Sequence, residues 1–302
     1  MTSTAIGFVG LGNMGGRIAR CLVDSGRPVL GYDLSADSVR GCGAQAAPSP
    51  SAVAAATDLV LLSLPDSTVV EEVVLGRDGL LDALHAGQVV ADLSTAAPQS
   101  TRLIGARLAE IGVDYLDAGV SGGAAAAEKG TLTLMVGGPA AALETARPVL
   151  EVISAHIFHC GDSGAGHVTK LLNNFLNAVS LAATAEVMVA GKKAGLDLAV
   201  LLDVLNLSSG VNFATQNRFP KIIKGDYLKG GLSNTLMLKD VILYTELLGQ
   251  LGVAGLNASG PAASFGLARA LGYADQISNT VVDAIGDISG GVRLFDPADG
   301  AA

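Results

Sequence analysis

The chain has 302 residues, half of them hydrophobic, and a net charge of −9. That length suits about two domains, each large enough for its own core. The acidic balance excludes the basic footprint that nucleic acid or an anionic membrane would need.

Cys21, Cys42 and Cys160 are scattered and odd in number, which argues against a disulfide frame or a metal knuckle. No apolar run reaches membrane length: Asp58 and Asp66 bracket Leu59–Leu64, and Glu186 interrupts Ala178–Ala190. The opening MTSTAIGFVG carries no basic n-region and enters a strand at once, so a soluble, cytoplasmic protein without a signal peptide is expected.

Ala5–Val9 is too short for a helix and is bounded by glycine, which predicts a buried parallel strand. It leads into Gly10-Leu11-Gly12-Asn13-Met14-Gly15, and Arg17–Asp24 then has helical spacing. Strand, G-x-G-x-x-G and helix in that order form a dinucleotide fingerprint. The first glycine makes the turn, the second lets a pyrophosphate approach the backbone, and the third lets helix and strand pack. The helix N-terminus adds N–H groups and a positive dipole end for the phosphates.

Pro28–Tyr32 reads as the second strand, ending at Asp33. That aspartate lies close to the spacing of about 20 residues expected for the acidic group that binds an adenosine ribose diol. Its charge repels a 2′-phosphate and no arginine follows nearby, so NAD is expected ahead of NADP. Leu59–Leu64 and Val89–Leu93 are further strands, followed by Pro65-Asp66-Ser67 and by Ser94-Thr95. Ligands of open α/β sheets sit beyond the carboxyl ends of strands, so Leu64, Pro65 and Thr95 fall on the expected cofactor rim.

Tyr115–Val120 predicts another strand, and Ser121-Gly122-Gly123 after it can present a hydroxyl and several N–H groups to an anion. Thr131–Val136 and His156–His159 complete this half. His156, His159 and Cys160 have no further ligand at metal spacing, and no metal is expected.

Gly161–Asn174, GDSGAGHVTKLLNN, is a glycine-rich turn that becomes a helix, with Lys170 and Asn174 on one face. That helix is expected to run to about Gly191, apolar on most sides and buried on most sides. Helices are also expected at Leu198–Leu207, capped by Asp197, and at Phe213–Lys224 and Leu236–Leu251. Two more are expected at Pro261–Leu271, stopped by Gly272, and at about Asn279–Ile288. Val292–Ala302 reads as a loose tail. The fold class is α/β: a Rossmann-type doubly wound sheet over residues 1–163, then an all-helical domain over 164–302 that opens with the long helix.

Four motifs together resemble the β-hydroxyacid dehydrogenase family, over nearly the whole chain. They are GFVGLGNMG, DAGVSGG at Asp117–Gly123, GDSGAGHVTKLLNN, and LMLKD at Leu236–Asp240. The resemblance implies that Lys170 is the catalytic acid/base and that Asn174 holds substrate beside it. Ser121, Gly122 and Gly123 would bind the substrate carboxylate. Lys239 would reach the cofactor or close over the site, Asp240 would anchor its helix, and Leu64, Pro65 and Thr95 would line the cofactor path. It also implies a homo-oligomer, a dimer or tetramer. Two departures, Gly119 where the family commonly has Pro and Ala126 where it often has Gly, flank the carboxylate motif.

The reaction expected is hydride transfer between NAD and a small 3-hydroxy acid such as 3-hydroxyisobutyrate. A lysine serves as acid/base near neutrality when burial or a nearby cation lowers its pKa. Phe213 is a candidate wall of the substrate site, and Arg218 and Lys221 are candidates for a second anionic group. The blander reading makes Phe213 core and the two cations a solvated face. Alternatives are a tartronate or succinic semialdehyde-type reductase and an imine reductase, which typically replaces the lysine. A 6-phosphogluconate dehydrogenase would need a longer chain, and a non-catalytic dinucleotide-binding protein would be free to lose Lys170.

Overall fold

The computed structural model describes residues 5–295. Contacts divide the chain into Met1–Lys170 and Leu171–Ala302. The division falls within a long helix, a few residues beyond the start of the expected helical domain.

The first unit is a sheet of eight strands: β1 (Ile6–Val9), β2 (Val29–Tyr32), β3 (Gln45–Ala46), β4 (Leu59–Leu62), β5 (Val89–Asp92), β6 (Asp114–Ser121), β7 (Leu132–Gly137) and β8 (Ser154–Gly161). Their order is β3-β2-β1-β4-β5-β6-β7-β8. All neighbours are parallel except β6 and β7, which run antiparallel. The chain reverses direction across the sheet at β1/β4, the switch point where such folds bind ligands.

Among the described residues seven α-helices interleave with the strands: α1 (Gly15–Asp24), α2 (Ala36–Cys42), α3 (Pro50–Ala56), α4 (Ser67–Leu75), α5 (Pro98–Ala109), α6 (Gly123–Glu128) and α7 (Ala140–Ile153). Alternating strand residues feed two cores, as a period of two requires. Phe8, Leu61, Ala91 and Leu134 pack with Ile18 and Leu22 of α1 and Leu143 and Leu150 of α7. Val9, Val60, Leu62 and Val90 pack with Val53 of α3, Val70 of α4 and Ile104 of α5.

Helix α8 (Ala165–Lys193) is 29 residues long and carries the chain into the second unit. There follow α9 (Leu198–Asn206), α10 (Phe213–Asn217), α11 (Phe219–Ile222), α12 (Asn234–Leu251), α13 (Ser259–Ala268) and α14 (Val281–Ile288). Asp197 caps α9 through the N–H groups of Ala199 and Val200. A single core joins Leu181 and Met188 of α8, Leu202 of α9, Phe219 of α11, Met237 and Val241 of α12, Phe265 of α13 and Val282 of α14.

Two expectations need correction here, and a third needs a bound. The helix expected over Phe213–Lys224 is two short ones, broken at Arg218 (φ −113°, ψ −58°). Pro220, in the first turn of α11, supplies no N–H and crowds the backbone before it. Helix α8 is covered on most sides, as expected, but keeps one open stripe: Leu172, Leu176 and Val187 are exposed, while Leu171, Ala178 and Leu181 are buried. A count of apolar residues around a helix cannot tell which of them a neighbour covers. The start of the expected loose tail is packed, because Leu294 joins the second core and Arg293 pairs with Asp283 and Asp287. The remainder of that tail lies outside the described residues.

Candidate active site

The loop between β1 and α1 is built by close approach. Gly10 has φ +89°, and a Cβ on it would lie 2.3 Å from the Ser63 carbonyl oxygen. A Cβ on Gly15 would meet the Gly10 carbonyl oxygen at 1.9 Å. A Cβ on Gly12, in contrast, would have nothing within 4 Å. The loop is therefore closed against β4 on one side and open at its middle glycine, as a pyrophosphate cradle must be. Helix α1 begins without a side-chain cap and with no acidic residue in its first turn, so its dipole end is left for an anion. These residues fit a dinucleotide.

Asp33 follows β2. Its Oδ2 accepts from the Leu11 N–H at 2.7 Å and its Oδ1 from the Ser35 N–H at 2.8 Å. The carboxylate thus ties the glycine loop to the end of β2, and each oxygen keeps a lone pair for a hydroxyl donor. On the rim beyond β4 and β5, the Leu64 N–H donates to Ser94 Oγ at 2.9 Å, and the Ala97 N–H donates to Ser67 Oγ at 2.8 Å. Pro65 and Thr95 lie on these same two turns. Ser121, Gly122 and Gly123 mark the end of β6 and the start of α6, with φ +123° and +70° at the two glycines.

Lys170 is 8% exposed. Its stem lies against β6: a Cβ on Gly119 would come within 2.7 Å of the Lys170 Cβ and 3.0 Å of its Cγ. The first turn of α8 is fixed by Asp117, buried on β6. Its two oxygens accept from the Gly164 and His167 N–H groups, each at 2.8 Å. A carboxylate at a helix N-terminus satisfies free N–H groups and opposes the dipole.

Further buried polar groups surround that turn. The Nδ1 of His167 lies 2.7 Å from Thr101 Oγ1. The Tyr115 hydroxyl donates to Asp92 at 2.9 Å, and burial first, then Asp92, pushes its pKa well up. Sequence reasoning missed this set. An aspartate or tyrosine inside a strand gives no periodic signal, and only strand pairing brings Asp92 and Asp117 into register.

In the second unit, Asn174 is 5% exposed and donates from Nδ2 to Asp240 Oδ2 at 2.6 Å. Asp240 Oδ1 is 3.2 Å from Lys239 Nζ. Asp240, expected to anchor its own helix, thus also bonds a side chain of α8, and the Asn174 carbonyl oxygen accepts from Asn173 Nδ2 at 3.3 Å. Phe175 stacks on Tyr244 with ring centroids 3.7 Å apart. Phe213 is 58% exposed, so it is not core. Arg218 is partly buried and donates to Asn177 and Asn279, so it is not a solvated cation; Lys221 is exposed.

Residues 5–161 match the NAD-binding domain of 6-phosphogluconate dehydrogenase, and residues 164–285 match the NAD-binding domain of NADP-dependent 3-hydroxyisobutyrate dehydrogenase. A 2-(hydroxymethyl)glutarate dehydrogenase from Eubacterium barkeri is 41% identical over 81% of this chain and 82% of its own. The chain belongs to the β-hydroxyacid dehydrogenase family. An NAD-dependent L-serine dehydrogenase from Pseudomonas aeruginosa is 39% identical over 98% of this chain and 99% of its own. The 3-hydroxyisobutyrate dehydrogenase of Mycobacterium tuberculosis, solved with L-serine, superposes with a TM-score of 0.85 at 32% identity, covering 94% of this chain and 99% of that one. The family membership makes the chain an NAD(P)-binding dehydrogenase and sets aside a non-catalytic binder. Among the described residues no helix is long and apolar enough to cross a membrane.

Proposed function

We propose that this dehydrogenase moves hydride between NAD and a small 3-hydroxy acid, with Lys170 as the acid/base. Gly10–Gly15 hold the pyrophosphate, Asp33 holds the adenosine ribose, and Leu64, Pro65 and Thr95 form the rim along the dinucleotide. The bound nicotinamide supplies the hydride acceptor or donor at its C4. Lys170 Nζ takes the hydroxyl proton in oxidation and returns a proton to the carbonyl oxygen in reduction. Ser121, Gly122 and Gly123 receive the substrate carboxylate through their hydroxyl and N–H groups. Asn174, oriented by Asp240, offers its carbonyl oxygen to a substrate donor. Phe213 belongs to the wall that sorts substrate side chains, and Lys239 belongs to the cofactor side. Holding the reacting groups in such a geometry is worth up to about 7–11 kcal/mol in the best cases.

The observation that carries this reading is the seating of Lys170. Its stem lies on Gly119 and its helix start is fixed by two bonds to Asp117. A solvated surface lysine needs neither. The preference for NAD rests on Asp33, whose charge opposes a 2′-phosphate. With these residues go a division of labour between residues 1–163 and 164–302, a homodimer or homotetramer, and a cytoplasmic setting.

NADH formation over a panel of 3-hydroxy acids, with NADP in parallel, tests the reading. Turnover with NAD should fall by about 1,000-fold or more in Lys170→Ala while cofactor binding by fluorescence persists. Undiminished turnover in that variant would remove Lys170 from the chemistry. A clear preference for NADP would overturn the role given to Asp33.

A further inference from the structure

Arg218 stands where α10 breaks from α11, and nothing in the chemistry above uses it. Its Nη1 donates to Asn279 Oδ1 and its Nη2 to Asn177 Oδ1, both at 2.9 Å. Both partners are neutral amides. Among the described residues no carboxylate pairs with this guanidinium, in a chain where acids outnumber bases 28 to 19. Asn279 is itself held, donating from Nδ2 to the Tyr227 carbonyl at 2.7 Å. The guanidinium lies 5.7 Å from the ring centroid of Phe213, a half-exposed aromatic. Burial lowers its pKa to about 10, so it is still a cation at neutral pH.

Burying a charge without a counter-ion is costly, and proteins ordinarily supply a carboxylate. Here two amides aim the guanidinium without neutralising it. An arginine has five N–H donors, and the two amides engage only two of them. Asn177 lies one helical turn beyond Asn174, so the two share a face of α8. The cation therefore stands beside the residue assigned to substrate, within the same unit.

We propose that Arg218, backed by Phe213, binds a second carboxylate, so that the preferred substrate is a 3-hydroxy acid bearing a distal acidic group. This rests on the assignment of Asn174 to the substrate site. The planar fork of a guanidinium matches a carboxylate in two parallel bonds, which an ammonium cannot copy.

The test compares 2-(hydroxymethyl)glutarate with 3-hydroxyisobutyrate, which share the 3-hydroxypropanoate core and differ in the distal carboxylate. The monocarboxylate 2-(hydroxymethyl)pentanoate, in which a methyl replaces the distal carboxylate, controls for bulk. The native enzyme should favour the diacid in kcat/KM over both others. In Arg218→Gln the diacid-to-monoacid ratio should collapse by about 100-fold, mainly through KM, and Arg218→Lys should fall between. Asn177→Leu, which keeps the charge and loses its bracket, should lower the ratio by about 10-fold. A native preference for the monocarboxylate, or an equal loss on both acids in Arg218→Gln, would reduce Arg218 to a strut and leave the role of Lys170 standing. Glutarate binding by calorimetry gives a readout without turnover. Binding to the native protein and not to Arg218→Gln supports the subsite even if none of the three acids is oxidised, a result that would overturn the proposed reaction instead. Equal binding to both, or to neither, would remove the subsite.

Discussion

At Lys170 the first demand is steric. The lysine stem occupies the space in which a side chain at residue 119 would stand, and the Cβ of an alanine there would meet it at 2.7 Å. Contacts under 3 Å force something to move, and the lysine is the movable partner because β6 is held by strands on both sides. Gly119→Ala is therefore expected to cost about 10–100-fold in kcat/KM, since displacements of about 1 Å have effects of that size. NAD affinity should change little, because the glycine loop is untouched. Steady-state rates with parallel cofactor titrations check this, and full activity in the variant would show that Lys170 is not held by β6. The placement of Lys170 one turn into a helix after a glycine-rich turn was legible in GDSGAGHVTKLLNN. The means by which it is seated was not, because Asp117 is far away in sequence and reaches α8 only through the sheet.

Among the elements, the β1–α1 turn combines a short buried strand, a fingerprint of glycines and a helix free of acidic residues at its start. All three were readable in order along the chain. Gly10→Ala should destabilise the first unit by about 1–3 kcal/mol, because its φ of +89° and the Ser63 carbonyl at 2.3 Å both oppose a side chain. Urea unfolding should register that loss, and weaker NAD binding should accompany it. A variant as stable as the native protein would mean that the loop relaxes at no cost. The α10–α11 break was not readable in the same way. Phe213–Lys224 carries helical spacing, and Pro220 is tolerated in a first turn, so either one helix or two satisfies the sequence. The distorted backbone at Arg218 (φ −113°, ψ −58°), two residues before Pro220, decides for two. That break also gives Arg218 its position beside Asn177.

Across the whole molecule, stability is divided between cores that each unit builds for itself. Leu294, near the end of the described residues, belongs to the second of these and is 4% exposed. Leu294→Ala is expected to cost about 2–5 kcal/mol, the range for a leucine removed from a packed core. The loss should appear as earlier unfolding of the second unit in thermal or denaturant melts. A change below about 0.5 kcal/mol would return this segment to the status of a tail.

The sequence by itself determined the pattern of buried strands, the dinucleotide loop, the lysine–asparagine spacing and the helical character of the second half. Each is a local property: strand length, glycine placement and helical periodicity act through neighbours a few residues apart. Tertiary structure alone decided how those pieces are held. Asp117 at the start of α8, Asp240 on Asn174, Arg218 between two amides and Leu294 in the second core are all contacts between segments distant in the chain. Burial turns such polar contacts from optional to obligatory, because an unpaired polar group away from water costs more than a satisfied one returns.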